Sequence, residues 1–230
     1  MFFYVFKFFF WLFFLSLQVS FFDKKQNNLL KMNNIAIFAS GSGSNAQAIV
    51  EYFRSLGENP VKIILSNNKN AFVIERAKTL GVECIIFNKD DFYHSSRVID
   101  ILKERNIDFI VLAGFLWLIP NSLIDAYANK IINIHPALLP KYGGKGMYGM
   151  HVHEAVVQNK EAYSGITIHF VDEKYDNGAI IFQAQCKIEE GDTAEMVAQK
   201  VHQLEYAYFP KVVRQLVLNR PIEEVLGVNQ

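Results

Sequence analysis

Short apolar runs alternate with segments of helical periodicity from Met32 onwards, and this alternation limits the folds open to the chain more than any other feature. The segments between the runs, such as 45–57 and 95–106, repeat apolar residues at the three- and four-residue spacing of one helix face. Strands separated by helices in this way form a mostly parallel sheet that is covered on both faces. The predicted strands are residues 35–39, 61–66, 83–87, 109–114 and 130–134.

The C-terminal third of the chain has a different pattern. Two further apolar runs, residues 165–171 and 179–188, lie on either side of the turn-rich sequence "DEKYDNG", which predicts a strand pair. A long helix is predicted from Asp192, with a kink or break near Pro210, because proline interrupts helical hydrogen bonding. We therefore predict an α/β protein with a Rossmann-like three-layer fold, a mostly parallel central sheet and a long C-terminal helix.

Residues 1–31 differ from the rest of the chain, since they hold ten of its twenty phenylalanines. The stretch is long enough to span a bilayer, but it lacks the small-residue cleavage site of a signal peptide. Phe, Lys and Asn are encoded by A- and T-rich codons, which favours translated upstream DNA with the true start at Met32. A genuine anchor or signal is the alternative. We expect a single domain over residues 32–230, a cytoplasmic protein and no membrane association.

The charge balance and the spacing of the histidines argue against nucleic-acid binding and against metal binding. The chain has no net charge, and its basic residues are balanced by acidic ones, so no field suited to nucleic acid is expected. The H-x-H pair His151 and His153 falls at the start of a predicted helix, where an i, i+2 pair does not share a face. We expect no metal site and no nucleic-acid partner.

The glycine-rich sequence "ASGSGSNAQ" joins the first predicted strand to the first predicted helix. It fits the pattern G-x-G-x-x-A, but the second strand ends in "SNNKN" and lacks the acid that a dinucleotide-binding unit uses for ribose. Free N–H groups at a helix start favour an anion, so Gly43, Ser44 and Asn45 are predicted to hold a phosphomonoester. A tight turn without a ligand is the alternative.

Two polar side chains, Asn133 and His135, lie at the end of the fifth predicted strand. They share a face by the two-residue period of a strand, and ligands of open α/β sheets collect at this edge. An amide and an imidazole together can donate hydrogen bonds to negative charge that develops on an oxygen. Asp172, Glu173 or Asp176 in the downstream turn offers a carboxylate to orient the histidine. A structural role for His135 is the alternative.

Six sequence strings then resemble, in order and at compatible spacing, the phosphoribosylglycinamide formyltransferase family over about residues 32–215. They are "FASGSGSN", "VLAGFLWLIP", "NIHPALLPKY", "HVHEAV", "HFVDEKYDNG" and "QLEYAYFP". The resemblance implies direct transfer of a formyl group from 10-formyltetrahydrofolate to the amine of glycinamide ribonucleotide, in de novo purine biosynthesis. It implies 10-formyltetrahydrofolate as co-substrate, no metal and no covalent enzyme intermediate, and is compatible with a monomer or a homodimer.

The resemblance also implies roles for individual residues. Asn133, His135 and Asp176 match the family's catalytic residues, which stabilise a tetrahedral oxyanion and move a proton to the departing folate nitrogen. The other matches are Gly43, Ser44 and Asn45 at the substrate phosphate, Glu205 near the substrate amine, and Leu116, Trp117, Leu118 and Ile119 at the folate.

Three departures from the family pattern bear on the site. Trp117 stands where an arginine is common, so a contact from that arginine to the folate is not expected here. The Gly143–Met150 loop is longer than the usual form and is a candidate mobile lid. Asn177 replaces the first of two glycines, although asparagine tolerates left-handed geometry.

Other functions remain open at this level. Methionyl-tRNA formyltransferase would need a further C-terminal domain and a basic surface, and formyltetrahydrofolate hydrolase would carry a regulatory domain before the catalytic one. A non-enzymatic phosphate-ligand or nucleotide-binding module would explain the glycine loop but would leave Asn133, His135 and Asp176 without a role.

Overall fold

A computed structural model of the chain describes residues 32–222, and from Asn33 onwards these belong to one compact unit. The expectations for residues 1–31 lie outside the described residues. The assignment of residues 32–230 to a single domain stays a prediction.

A seven-stranded sheet forms the centre of the fold, and each predicted apolar run overlaps one of its strands. Five strands pair in parallel, and the last two pair antiparallel at one edge, which confirms the predicted strand pair. The strands are β1 (Ile35–Phe38), β2 (Val61–Ser66), β3 (Glu83–Ile86), β4 (Phe109–Leu112), β5 (Ile131–His135), β6 (Tyr163–Phe170) and β7 (Ile180–Lys187). Their order in the sheet is β3-β2-β1-β4-β5-β6-β7.

Helices cover both faces of this sheet. One face carries a core in which alternate residues of β1, β2 and β4 pack with an aromatic cluster that includes Phe87, Phe92 and Phe115. The intervening strand residues, such as Ile37 and Ile64, are fully buried as well, so the second face is also covered. The three-layer α/β prediction is confirmed. The helices are α1 (Ser44–Ser55), α2 (Val73–Leu80), α3 (Lys89–Tyr93), α4 (Arg97–Glu104), α5 (Asn121–Ala126), α6 (Met150–Gln158) and α7 (Ala194–Val217).

The long C-terminal helix α7 differs from its prediction in two details. It begins at Ala194, where the Thr193 hydroxyl accepts from the backbone N–H of Met196, and it continues past Pro210 to Val217 without a break. An internal proline costs about 3 kcal/mol, but burying an aliphatic or aromatic side chain returns about 1.5–3 kcal/mol each. Because Phe209 and several valines of α7 are fully buried, packing against α1, α6, β6 and β7 holds the helix together.

The strand order indicates where on the sheet a ligand is expected to bind. The chain moves outward from β1 to β3 and then returns to add β4 on the other side of β1, so the crevice between β1 and β4 is a topological switch point. Ligands of such sheets bind beyond the carboxyl ends of the strands at this crevice. The glycine loop follows β1, the predicted folate segment follows β4, and His135 ends β5.

Candidate active site

A cavity of about 670 Å³ opens at the carboxyl ends of β1, β4 and β5. Its lining includes the glycine loop, the Asn133 and His135 side chains, Asp176 from the turn before β7, and Glu205 from α7. These groups are distant in sequence but line one cavity. The structure therefore brings together the predicted phosphate, catalytic and amine-side residues.

The glycine loop turns sharply into α1 at Gly43, whose φ of 73° lies in the left-handed region. A Cβ at this position would lie 2.3 Å from Cγ2 of Val73 in α2, which is far inside van der Waals contact. The loop is braced from outside by Arg76, whose Nε donates to the carbonyl of Ser42 at 2.8 Å. The first N–H groups of α1 lack intrahelical partners and face the cavity end of the helix, as an anion site requires.

Replacing Gly43 by alanine is expected to lower the free energy of unfolding by about 2–4 kcal/mol, because backbone strain adds to the clash with Val73. Gly41→Ala is the matched control, since nothing lies within 4 Å of a Cβ built there. We expect that control to stay within about 0.5 kcal/mol of the parent in urea unfolding. Equal losses in both variants would contradict the packing argument.

His135 is 3% exposed, and each of its ring nitrogens faces an oxygen atom. Nε2 donates to the backbone carbonyl of Tyr142 at 2.7 Å, and Nδ1 lies 3.5 Å from Oδ2 of Asp176. Burial lowers the pKa of His135, while the charge of Asp176 and the Tyr142 carbonyl act in the opposite direction without overcoming it. The ring is neutral near pH 7, and negative charge nearby favours its protonation.

Asp176 is the carboxylate of the turn that reaches the histidine. Its backbone φ of 52° is left-handed, and Oδ2 accepts from the backbone N–H of Gly144 at 2.9 Å. Burial by itself would raise the pKa of Asp176, but the pKa is lowered because His169, His135 and the Gly144 N–H together outweigh burial. Asp176 is therefore a buried anion beside His135. Glu173, by contrast, is exposed.

Asn133 has a neighbour that the sequence analysis did not single out, His169 of β6. Nδ2 of Asn133 lies 3.1 Å from Nε2 of His169 and 3.4 Å from Oδ1 of Asp176. Nδ1 of His169 donates to the Phe170 carbonyl, and its Nε2 lies between the Asn133 amide and Oδ1 of Asp176. A sequence signal did exist: Thr167 and His169 put polar side chains on one face of an otherwise apolar strand.

The backbone segment that follows His135 is held in place by hydrogen bonds to a side chain of β6. The hydroxyl of Thr167, which is fully buried, donates to the Ala137 carbonyl at 2.6 Å and accepts from the Leu139 N–H at 3.0 Å. Nε2 of Gln183 in β7 donates to the same hydroxyl and to the Leu139 carbonyl. This network holds the start of the loop that carries Tyr142, and so it fixes the partner of His135.

Glu205 is 5% exposed and forms a cluster with two residues of different elements. Its Oε2 accepts from Nδ2 of Asn45 at 2.9 Å and from Nδ1 of His202 at 2.9 Å. One N–H of the Asn45 amide donates to Glu205, so its second N–H and the backbone N–H remain for an anion at the glycine loop. His202 was not identified from the sequence. It lies one helical turn before Glu205, and a histidine at that spacing from a buried acid was the available signal.

Two buried polar atoms at this end of the cavity have no hydrogen-bond partner among the described residues. They are Oδ1 of Asn45 and Nδ1 of His153, and both residues line the cavity. A buried polar atom without a partner costs about 1–3 kcal/mol. Atoms of this kind are satisfied when a polar ligand occupies the space between them.

The predicted folate segment follows β4 and lies next to the catalytic residues. Trp117, Leu118 and Ile119 line a smaller cavity of about 60 Å³ together with Asn133 and Asp176, whereas Leu116 lines the larger cavity. The Trp117 ring packs on the aromatic cluster at 5.9 Å from the rings of both Phe87 and Phe92. The carbonyl of Leu118 accepts from the hydroxyl of Tyr93 at 3.0 Å.

Within residues 32–222, the structure shows no group of three His, Cys, Asp or Glu side chains arranged to hold a metal ion. Over the same residues, no helix is both long and apolar enough to cross a membrane.

Comparisons with known proteins identify the family of the chain. Residues 33–213 match the family model described as "Formyl transferase". Phosphoribosylglycinamide formyltransferase of Bacillus subtilis is 36% identical over 191 residues, which cover 81% of this chain and 95% of the relative. The chloroplastic enzyme of that name from Arabidopsis thaliana is 39% identical over 189 residues, or 80% of this chain. The aligned part spans only 65% of the plant relative's own length.

Solved structures give the same result. The phosphoribosylglycinamide formyltransferase of Anaplasma phagocytophilum superposes with a TM-score of 0.75 at 28% identity, covering 82% of this chain and 88% of that one. The protein of that name from Bacillus halodurans superposes with a TM-score of 0.71 at 37% identity, covering 80% and 95%.

Proposed function

The chain belongs to the formyl transferase family, and from this premise we propose that it transfers the formyl group of 10-formyltetrahydrofolate to the amine of glycinamide ribonucleotide. One observation carries the proposal: a single cavity is lined by an anion-binding glycine loop, a buried carboxylate and the Asn133, His135 and Asp176 group. A phosphate, an amine and a reacting acyl carbon each need one of these three parts. The predicted role in de novo purine biosynthesis follows from this reaction.

The nucleotide substrate would lie along the cavity. Its phosphate accepts hydrogen bonds from the backbone at Gly43, Ser44 and Asn45, where the start of α1 favours negative charge. Its amine end lies toward Glu205, whose Oε1 accepts no hydrogen bond from the described residues. The substrate's polar groups also satisfy the buried atoms of Asn45 and His153.

The chemical step uses no covalent bond to the protein. The amine nitrogen attacks the formyl carbon, and the carbonyl oxygen becomes an oxyanion. The long contact of the Asn133 amide to Asp176 is exchanged for this oxygen. His135, protonated from solvent water as the negative charge develops beside it, stabilises the oxyanion and returns that proton to water when the carbonyl re-forms. The carbon–nitrogen bond to the folate then breaks, and the proton lost by the amine passes by way of Asp176 and water to the departing nitrogen.

The co-substrate would lie against the segment that follows β4, which borders both cavities. We propose that Leu116, Trp117, Leu118 and Ile119 contact the folate through backbone groups and apolar surface. Trp117 offers an aromatic face where the family commonly has an arginine, so stacking replaces a charged contact at that point. The Gly143–Met150 loop borders the larger cavity and acts as its lid.

The purified full chain is expected to form formylglycinamide ribonucleotide and tetrahydrofolate when both substrates are supplied, at a kcat in the ordinary enzyme range of about 1–10³ s⁻¹. The product is measured by mass spectrometry and the folate by absorbance. The matched control is glycinamide riboside, which lacks the phosphate and should react with a much lower kcat/KM. Transfer to another amine acceptor, but not to glycinamide ribonucleotide, would overturn the proposal.

We also propose that residues 32–230 form one catalytic domain with translation starting at Met32, and that the protein acts in the cytoplasm as a monomer or homodimer. The family match from residue 33 supports the domain boundary. N-terminal mass spectrometry of the native protein and cell fractionation test the start and the location.

A further inference from the structure

The Glu205 carboxylate is arranged so that one oxygen is used by the protein and the other is left to a ligand. Oε2 accepts both hydrogen bonds, from Asn45 and His202, whereas Oε1 accepts none from the described residues. Glu205 lines the cavity while its side chain is only 6% exposed. A charge presented to the cavity by this carboxylate is therefore only weakly screened by solvent.

His202 is the only one of the two partners of Glu205 that can change its charge. Its ring lies at the cavity lining, is 49% exposed, and stacks on Tyr206 with an interplanar angle of 12°. Because Nδ1 donates to the carboxylate, the hydrogen bond survives in both the neutral and the protonated ring. Protonation of Nε2 therefore changes the net charge of the pair from −1 to zero without altering its geometry.

We propose that His202 is a positioning residue that sets the charge which Glu205 presents to the amine end of the substrate. The proposal rests on the proposed function, because it assigns Glu205 to that amine. With a neutral His202, the pair carries a net negative charge and holds a glycyl ammonium group tightly. With a protonated His202, the charge is balanced and the ammonium group is held less tightly. Affinity for the nucleotide then rises with pH through the ionisation of this histidine.

The histidines around Glu205 differ in the direction in which their pKa values are shifted. On α7 the hydrogen bond that His202 donates to Glu205 raises the pKa of His202, although burial opposes it. On α6, burial and the charge of His202 lower the pKa of His153, and on β5 burial lowers the pKa of His135. Asn45 of α1 is uncharged. His202 is thus the histidine of this cluster that titrates at the highest pH.

The experiment measures binding of glycinamide ribonucleotide alone by calorimetry, from about pH 5.5 to 8.5, to the full chain and to His202→Gln. Glutamine keeps a hydrogen-bond donor for Glu205 and cannot be protonated. We expect the variant to bind about three- to tenfold more tightly than the parent at the acid end and equally at the alkaline end. A shift of about one unit in the pKa of His202 on binding corresponds to tenfold in affinity. His94→Gln, at an exposed histidine outside the cavity, is the control.

The substrate's phosphate and amine also titrate in this range, but they do so equally for every variant and cancel in the ratio of affinities. Histidine proton NMR adds a direct reading: the His202 resonance should titrate at lower pH once the nucleotide is bound, and in Glu205→Gln. Identical pH dependence in the parent and His202→Gln would overturn the inference. Absence of nucleotide binding in every variant at every pH would instead overturn the proposed function, and the inference with it.

Discussion

Replacing His135 by alanine is expected to lower kcat about 10³-fold while nucleotide affinity changes by less than about threefold. The reason is the position of the ring: it is buried between Asp176 and the Tyr142 carbonyl and forms no hydrogen bond to the glycine loop or to Glu205, the groups proposed to bind the substrate. The imidazole therefore stabilises the oxyanion that forms during the reaction and contributes little to binding of the unreacted nucleotide. Steady-state kinetics and calorimetric binding of the nucleotide measure the two effects separately.

His135→Gln separates hydrogen bonding from proton transfer, since glutamine can donate to an oxyanion but cannot deliver a proton. It should recover part of the loss in the alanine variant. His94→Ala removes an exposed histidine outside the cavity and should leave kcat unchanged. If His135→Ala loses nucleotide binding as well as turnover, the ring is structural. Full turnover in that variant would exclude the proposed mechanism.

The fold was largely accessible from the sequence because its signals are local. The apolar runs at residues 61–66 and 109–114 carry their own periodicity, and the strands they predicted are present. The continuity of α7 through Pro210 was not accessible in this way. Pro210 is an unfavourable local signal, and it is overcome by burial of neighbours such as Phe209, which depends on contacts with elements far away in the chain.

The site was accessible in part for the same reason. Asn133 and His135 lie two residues apart on one strand, so their shared face follows from strand geometry alone. The contact of Asn133 with His169 depends on the antiparallel register of β5 and β6, in which these two residues are directly opposite. The hydrogen bond from Asn45 to Glu205 spans 160 residues, and no local pattern specifies it. Such contacts determine which hydrogen-bond donors and acceptors of each side chain remain free for a ligand.

Replacing Asp176 by asparagine is expected to lower kcat about 10²–10³-fold at neutral pH and to move the remaining activity to lower pH. The sign follows from the charges. Burial already lowers the pKa of His135, and the Asp176 carboxylate is the largest opposing influence. Without that negative charge the pKa of His135 falls further, so protonation beside the oxyanion requires a more acidic solution.

Asparagine suits this position sterically, since it matches the shape of aspartate and tolerates the left-handed backbone that residue 176 adopts. The side-chain amide oxygen of asparagine can still accept the hydrogen bond from the Gly144 N–H, so the loop that contains Gly144 is expected to stay in place. Glu173→Gln removes an exposed carboxylate of the same turn and should leave the kcat profile between about pH 5 and 9 unchanged. Since the loss at Asp176 is assigned to charge, its profile must shift as well as fall. A uniform decrease at all pH values would show that Asp176 acts through geometry alone, and the electrostatic part of the mechanism would then have to be abandoned.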